Sequence, residues 1–175
     1  MWGTCEAPGP RLELEVYVAR QQVLRERGRH LEAICQPGSG LSARLMEEGF
    51  PVHELSMNGA VNYSAGIWRI RQILVKGRFD VLNTHSRSDT VIAAIAGRLA
   101  GTPLIVRTRH LAKSPGSLWS YTRLLNKVIA IRDYFASQLL NRGVKRDDLD
   151  TVFTAVQPLQ RVPHSALRDQ LQIGS

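Results

Sequence analysis

The sequence has few of the features that mark secreted, metal-binding or membrane-spanning proteins. Only Cys5 and Cys35 are cysteines among 175 residues, and their spacing fits neither a zinc site nor a disulfide framework. No apolar run approaches the length that crosses a bilayer, and the N-terminus carries no signal-peptide pattern. We therefore expect a reduced, cytoplasmic protein without a metal ion, in contact with a membrane only peripherally, at its inner face.

Acidic residues are also scarce, with 15 Asp and Glu against 23 Lys and Arg, so the formal net charge is +8. Such a chain favours acidic partners: nucleic acid, phosphorylated metabolites or anionic lipid. The basic residues are dispersed, without a recognition helix or an aromatic platform, so no specific nucleic-acid partner is expected. Two readings stay open at this point: a basic nucleic-acid- or phosphate-binding α/β module, and a Rossmann-type dinucleotide enzyme that lacks its glycine fingerprint.

Helix and strand patterns alternate along most of the chain. With 43% hydrophobic residues, the chain can bury the core of one domain. We predict an irregular leader at 1–10, one α/β domain at 11–156, and a linker with the truncated start of a further domain at 157–175. The predicted helices are 12–27, 41–48, 64–76, 88–100, 118–126 and 134–142. The predicted strands are 31–35, 52–55, 81–85, 104–110, 127–131 and 151–154. A loop is predicted at 58–62. This order favours a mostly parallel sheet with helices on both faces.

Spacing and capping residues define the buried faces and ends of these helices. Ser88 or Asp89 is the predicted N-cap of the central helix, and Asp133 is the predicted N-cap of the last helix in the domain. The predicted apolar stripes are Leu12, Val16, Ala19, Val23 and Leu24 in the first helix and Val91, Ile92, Ile95, Ala96 and Leu99 in the central one.

The stretch from Asp80 to His110 reads as strand, helix, strand, and we place the site there. Two parallel strands joined by one crossover helix end at the same edge of a sheet. Here they end in the polar runs Thr84-His85-Ser86 and Thr108-Arg109-His110. Ligands of open α/β sheets bind outside the carboxyl ends of the strands. The sequence therefore predicts that His85 and His110 border one cleft.

Several motifs together resemble the N-terminal domain of GT-B glycosyltransferases of family 4. The resemblance covers roughly residues 12–156, in a consistent order and spacing. The motifs are Gly28-Arg29-His30, Pro37-Gly38-Ser39, Leu45-Met46-Glu47-Glu48-Gly49-Phe50-Pro51-Val52, Phe79-Asp80-Val81-Leu82-Asn83-Thr84-His85, Ala96-Gly97-Arg98-Leu99-Ala100-Gly101-Thr102-Pro103, Thr108-Arg109-His110 and Val128-Ile129-Ala130-Ile131.

The resemblance implies a Rossmann-like three-layer sandwich that forms one half of a GT-B fold. Such enzymes move a sugar from a nucleotide-sugar donor to a lipid, lipopolysaccharide or saccharide acceptor, with retention of anomeric configuration. Their N-terminal domain holds the acceptor, and their C-terminal domain holds most of the donor. No other cofactor is implied.

The sequence departs from this family in three ways. Pro8-Gly9-Pro10 stands where a glycine-rich loop is expected, and no strand pattern precedes it, so we expect the first strand to be missing. Arg132 stands where serine is common. We also expect the donor domain to be absent. We therefore expect a half-enzyme that is inactive alone and needs a separate donor-domain chain; the alternative is a truncated, non-catalytic remnant.

The resemblance also assigns roles to individual residues. His110 is the catalytic candidate near the transferred sugar, and His85 with Thr84 and Ser86 would shape the acceptor pocket. Arg109 and Lys113 would neutralise phosphate, and Tyr121 with Trp119 would line an acceptor groove. Each role has a purely structural alternative. These alternatives are structural hydrogen bonding for the histidines, a solvated charge for Lys113 and core packing for the aromatics. His30, His53 and His164 are predicted to be scattered surface residues.

A basic helix around Trp68 suggests a further contact. Arg69, Arg71, Lys76 and Arg78 cluster beside this aromatic side chain. A helix of this kind favours an anionic membrane surface, while the bland alternative is a solvated helix face.

Overall fold

The protein is described by a computed structural model that covers residues 11–56, 60–85, 87–109 and 118–153. The five α-helices of these ranges are α1 (Arg11–Glu26), α2 (Gly40–Glu47), α3 (Ala60–Gly77), α4 (Arg87–Ala100) and α5 (Asp133–Leu140). The six strands are β1 (Ala33–Cys35), β2 (Val52–Glu54), β3 (Val81–Thr84), β4 (Leu104–Arg109), β5 (Lys127–Ala130) and β6 (Leu149–Thr151). A π-helical turn at Ser120–Leu124 precedes β5, and a 3-10 turn at Arg146–Asp148 precedes β6.

All strand pairs in the described residues are parallel, as expected for strands joined by crossover helices. They form two sheets: β1 pairs with β2, and β3 to β6 form a second sheet in chain order. In the larger sheet Thr84 lies opposite Arg107, and Arg109 lies opposite Ala130. The α/β Rossmann-like fold is thus confirmed, as is the parallel arrangement of the two strands predicted to carry the site.

The hydrophobic core has two parts, which meet at β1. A large cluster joins α3, α4 and α5 to the four-stranded sheet and includes Ile70, Leu82, Ile92 and Ile105. A small cluster packs α1 and α2 against β1 and β2. Successive strand residues point to opposite faces, so Ala33 and Cys35 serve the small cluster while Ile34 between them serves the large one.

Helix α4 packs close against the larger sheet because it carries a glycine at the contact. A β-carbon built on Gly97 would lie 2.8 Å from Cδ2 of Leu82 and 2.9 Å from Cδ1 of Ile105. The helix ends at Ala100, followed by Gly101 in the left-handed region, as predicted. The absence of a side chain at Gly97 therefore allows α4 to lie close to β3 and β4.

Several predicted boundaries were wrong. Helix α3 begins at Ala60, so residues 60–62 are helical and not part of a loop. Helix α4 begins at Arg87, which places Ser88 and Asp89 inside the first turn and not at the N-cap. The N-cap of α5 is Arg132, and Asp133 is the first helical residue, where its charge still favours the helix N-terminus.

The last strand and the helix before β5 also differ from prediction. Strand β6 spans Leu149–Thr151, and Val152 and Phe153 lie beyond it with 46% and 67% exposure. The helix predicted at 118–126 ends at Leu124, in a π-helical turn. A pattern of apolar spacing cannot separate a short π-turn from a longer α-helix, because both bury one side.

Two predicted apolar stripes were partly wrong. In α4, Leu99 is 59% exposed, although Ile92 and Ala96 are buried. In α1, Ala19 and Val23 are exposed, while Val18 is buried.

No helix of the described ranges is long and apolar enough to cross a membrane. The leader at 1–10 and the linker at 157–175 lie outside the described residues.

Candidate functional site

The carboxyl ends of β3, β4 and β5 form one edge of the larger sheet. Strand β4 is the longest of the three and runs past β3, since Thr84 at the end of β3 lies opposite Arg107, two residues before the end of β4. His85 follows β3 directly and is half-buried. The edge thus carries a histidine on one strand and an arginine on its neighbour, as the sequence predicted.

Hydroxyl and amide side chains tie β3 to α4 and to β4 beneath this edge. Thr84 is fully buried, and its Oγ1 accepts a hydrogen bond from Thr90 Oγ1 of α4 (3.1 Å). On the other face of the sheet, Thr108 Oγ1 donates to Oδ1 of Asn83 (3.1 Å). These two hydrogen bonds hold the ends of β3 and β4 in fixed positions.

Two buried arginines lie on one face of β4. Arg107 and Arg109 are 7% and 4% exposed, and as residues i and i+2 of a strand they point to the same side. The guanidinium carbon of Arg107 lies 4.7 Å from the ring centroid of Tyr121, within the range of a cation–π contact. Tyr121 itself is only 4% exposed.

Helix α5 holds the second arginine. Arg109 Nη2 donates to Oε1 of Gln138 (3.2 Å), and its guanidinium carbon lies 5.8 Å from the ring centroid of Phe135. The hydrogen bond and the ring orient the guanidinium. A fixed guanidinium at a strand end can stabilise a phosphate or another anion.

The structure brings together only part of the predicted site. Thr84, His85 and Arg109 lie at one sheet edge. Tyr121 reaches this edge through its contact with Arg107, while Trp119 is 57% exposed. His110, Ser86 and Lys113 lie outside the described residues, so their roles stay predictions.

Trp68 and its basic neighbours lie on the exposed side of α3, opposite the buried Ile70 and Leu74. Trp68 is 57% exposed, and the Arg71 guanidinium carbon lies 5.4 Å from the centroid of its ring. Val75 follows one turn further along and is 48% exposed. Arg69 and Lys76 are exposed on the flank of the same face. We call Trp68, Arg69, Arg71, Val75 and Lys76 the outer face of α3.

Two histidines predicted to be scattered meet at one carboxylate near the start of β1. His53 Nε2 lies 2.6 Å from Glu32 Oε2, and His30 Nε2 lies 2.9 Å from Glu32 Oε1. Partial burial alone would raise the pKa of Glu32, but the hydrogen bonds and charges of His53 and His30 outweigh it and lower that pKa below its ordinary value. The described residues contain no group of three or more His, Cys, Asp or Glu arranged to hold a metal. His164 lies outside the described residues.

Sequence reasoning missed Arg107, Thr90 and Gln138. An arginine in the middle of an apolar strand is unusual, because charged side chains are rarely buried without a partner. The pair at i and i+2 was therefore a readable signal. Gln138 carried no such signal, since only the packing of α5 beside β4 brings it to Arg109.

Comparison with known proteins supports this assignment of the fold. No curated protein gives a significant match to the sequence. A glycosyltransferase from Rickettsia africae ESF-5 superposes with a TM-score of 0.79 at 18% identity, over 99% of this chain and 49% of that one. The Anabaena protein Alr3699/HepE in complex with UDP-glucose gives 0.77 at 16% identity, over 98% and 49%. The lipopolysaccharide outer core galactosyltransferase WaaB gives 0.70 at 14% identity, over 89% and 46%.

This chain therefore spans about half the length of the solved structures it matches. At these identities the superpositions show the fold alone, which is that of one half of a GT-B structure. The sequence itself matches the profile of the family described as "Glycosyl transferase 4-like domain" over residues 15–153, most of the chain. The chain belongs to the glycosyl transferase 4-like domain family.

Proposed function

We propose that this chain is the acceptor-binding half of a glycosyltransferase that moves a sugar from a nucleotide-sugar donor to a lipid, lipopolysaccharide or saccharide acceptor. The observation that carries the proposal is the position of Arg109. Its guanidinium is buried at the end of β4, where Gln138 and Phe135 contact it. The neighbouring strand β3 ends at Thr84, and His85 follows.

A buried guanidinium at this sheet edge suits the chemistry of sugar transfer. A departing nucleoside diphosphate gains negative charge, and a preorganised cation in a dry site stabilises that charge. Arg109 would supply part of this field from the acceptor side. His110, the next residue in the sequence, is the candidate that faces the transferred sugar.

The relatives support the substrate class in kind. HepE is described as a complex with UDP-glucose, and WaaB as a galactosyltransferase of the lipopolysaccharide outer core. Because this chain matches half of each, we propose that donor binding requires a second domain beyond these residues. Alone, the chain is expected neither to bind a nucleotide sugar tightly nor to turn it over.

A chimera tests this proposal. The half of HepE that this chain does not match would be fused to this chain, and sugar transfer from UDP-glucose would be followed over a panel of saccharide and lipid acceptors. We expect transfer by the chimera only, with Arg109→Lys lowering kcat/KM by at least about tenfold because lysine lacks the guanidinium fork. Arg123→Lys, on the exposed side of the π-helical turn, is the matched control.

Two results would contradict the proposal. Micromolar binding of UDP-glucose to the chain alone, measured by calorimetry, would show that no second domain is needed. A folded chimera without transfer activity on any acceptor would favour the non-catalytic remnant.

A membrane contact is a second candidate function, supported by the outer face of α3. Trp68 is an exposed aromatic with Arg71 beside its ring and Arg69 and Lys76 on its flank. Each basic residue near an anionic leaflet contributes about 1 kcal/mol to binding. We expect co-sedimentation with anionic but not zwitterionic vesicles, weakened by Trp68→Ala. Trp119→Ala is the matched control, because Trp119 is equally exposed at 57%; equal loss in both variants would contradict a contact through α3.

A further inference from the structure

One long side chain connects the end of β4 to helix α5. Arg109, the last residue of β4, lies opposite Ala130 of β5, and register partners in a sheet point to the same face. Ala130 is fully buried and carries only a methyl group. The Arg109 side chain therefore has room to extend over β5 to α5, where its Nη2 donates to Oε1 of Gln138 (3.2 Å).

The chemistry of these two groups fixes the direction of the Gln138 amide. A guanidinium carries only N–H donors, so the amide oxygen must face Arg109 and the amide nitrogen must point away from it. Gln138 is half-buried, whereas Arg109 is only 4% exposed. A partly accessible amide thus contributes to the orientation of a buried cation.

An aromatic side chain one turn earlier on α5 adds a second contact. Phe135 precedes Gln138 by three residues, so the two lie on the same face of the helix. The centroid of the Phe135 ring lies 5.8 Å from the guanidinium carbon of Arg109 and 5.9 Å from the centroid of the Tyr134 ring, which meets it edge to face. The guanidinium is therefore placed by an oxygen atom and by a ring that itself packs against a neighbour.

Helix α5 is firmly anchored to the sheet that it covers. Ala136 and Leu139 are 3% and 0% exposed and belong to the large hydrophobic cluster. The carbonyl of Leu139 also accepts from Val144 N–H (3.1 Å), which ties the end of the helix to the segment before β6. Gln138 and Phe135 thus project from a rigid element, as groups that orient another side chain must.

Two roles for Gln138 fit these contacts. In the first, it only satisfies one donor of a buried guanidinium, and glutamate, a stronger acceptor, would serve equally well or better. In the second, the acceptor must be uncharged, because a carboxylate at this distance would offset the positive charge that attracts an anion. We propose the second role: Gln138 is a positioning residue that orients Arg109 toward a phosphate anion without offsetting its charge. The inference rests on the proposed function, in which Arg109 meets a nucleoside diphosphate.

Titration of the full chain with inorganic pyrophosphate tests the proposal, with the Nε signal of Arg109 followed by NMR. We expect weak binding to the wild type and at least about tenfold weaker binding to Gln138→Glu, because the added carboxylate offsets the guanidinium charge. Gln72→Glu, at an exposed position of α3, adds the same charge and is the matched control. The Tm of Gln138→Glu should be unchanged or higher, since a carboxylate accepts more strongly than an amide. A purely structural role would not produce a loss of binding without a loss of stability.

Gln138→Met removes the acceptor and keeps a side chain of similar length. We expect faster rotation of the Arg109 guanidinium, measured by NMR, together with weaker binding of pyrophosphate. Arg107 is the internal control, because its guanidinium contacts the ring of Tyr121 on another element. Its rotation should not change.

Three results would overturn the proposal. Equal pyrophosphate binding by Gln138→Glu and the wild type would show that Gln138 only satisfies a buried donor. Unchanged rotation of Arg109 in Gln138→Met would show that other contacts orient the guanidinium. Either result would leave the proposed function intact, whereas no binding of pyrophosphate to the wild-type chain would overturn both this inference and the role proposed for Arg109 in sugar transfer.

Discussion

The two sheets of this domain are built by the same rule but differ in how much core supports them. The four-stranded sheet rests on a cluster that draws on α3, α4, α5 and the π-helical turn. The two-stranded sheet rests on a cluster of seven buried residues from α1, α2, β1 and their loops. We call the two-stranded sheet with its cluster the smaller part and the four-stranded sheet with its cluster the larger part. Because stability increases with buried apolar area, we expect the smaller part to unfold locally before the larger part, which carries the site.

Ile105→Ala should have the largest effect. Ile105 is fully buried at the centre of the larger cluster, and truncation of such a residue costs about 2–5 kcal/mol. Because Ile34 of β1 packs in that cluster, we expect faster hydrogen exchange in both sheets. Chemical unfolding followed by residue-resolved exchange measures both quantities.

Leu45→Ala is the counterpart in the smaller cluster. Leu45 is also fully buried, so the local cost is again about 2–5 kcal/mol. Here we expect faster exchange in β1 and β2 and unchanged protection in β4. Equal acceleration in both sheets would show one cooperative unit and would remove the distinction between the two parts.

Gly97→Ala tests the close approach of α4 to the larger sheet. The added methyl would meet Leu82 and Ile105 below 3.0 Å, and overpacking of this kind costs about 1–3 kcal/mol. A gain in helix propensity of about 1 kcal/mol offsets part of that cost. We expect a lower Tm for Gly97→Ala and almost no change for Gly40→Ala, whose β-carbon would meet nothing within 4 Å. A higher Tm for Gly97→Ala would mean that α4 can shift away from the sheet.

The larger part was the more predictable from sequence. Apolar spacing and the helix-ending Gly101 and Gly143 placed α4, α5 and the strands between them, because long periodic segments leave one structural solution. Leu99 was predicted wrongly, since periodicity does not reveal where a helix extends beyond the sheet it covers. In the site, Thr84, His85 and Arg109 followed from the rule that parallel strands end at one edge. The hydrogen bond of Gln138 to Arg109 and the contact of His53 with Glu32 join segments that are distant in the sequence. A local pattern in a single sequence does not predict such contacts.

Glu32→Gln tests the polar contacts that support the smaller part. The pKa of Glu32 is lowered in the folded protein, so its carboxylate stabilises the fold above its ordinary pKa, and this contribution is lost as pH falls through the lowered value. At neutral pH we expect a cost of about 0.5–1 kcal/mol, kept small because the side chain is partly exposed. The difference between variant and wild type should shrink below about pH 4.5. Glu47→Gln is the control, since Glu47 forms an exposed ion pair with Arg44; an equal cost in both variants, independent of pH, would contradict the role of the two histidines.

Arg78→Gly should have the smallest effect and the opposite sign. Arg78 follows α3 with φ at 48°, in the left-handed region where a β-carbon is unfavourable. Glycine removes that strain from the folded protein. It also raises the conformational entropy of the unfolded chain, which offsets part of the gain, so we expect a net stabilisation of about 0.5 kcal/mol. Gly101→Ala, at φ 73° after α4, makes the reverse change and should destabilise by about 1 kcal/mol. Both residues lie at turns into neighbouring strands of the larger sheet, so thermal unfolding of the two variants compares one backbone conformation in opposite directions. Destabilisation by both changes would mean that the Arg78 side chain contributes more than its backbone strain costs.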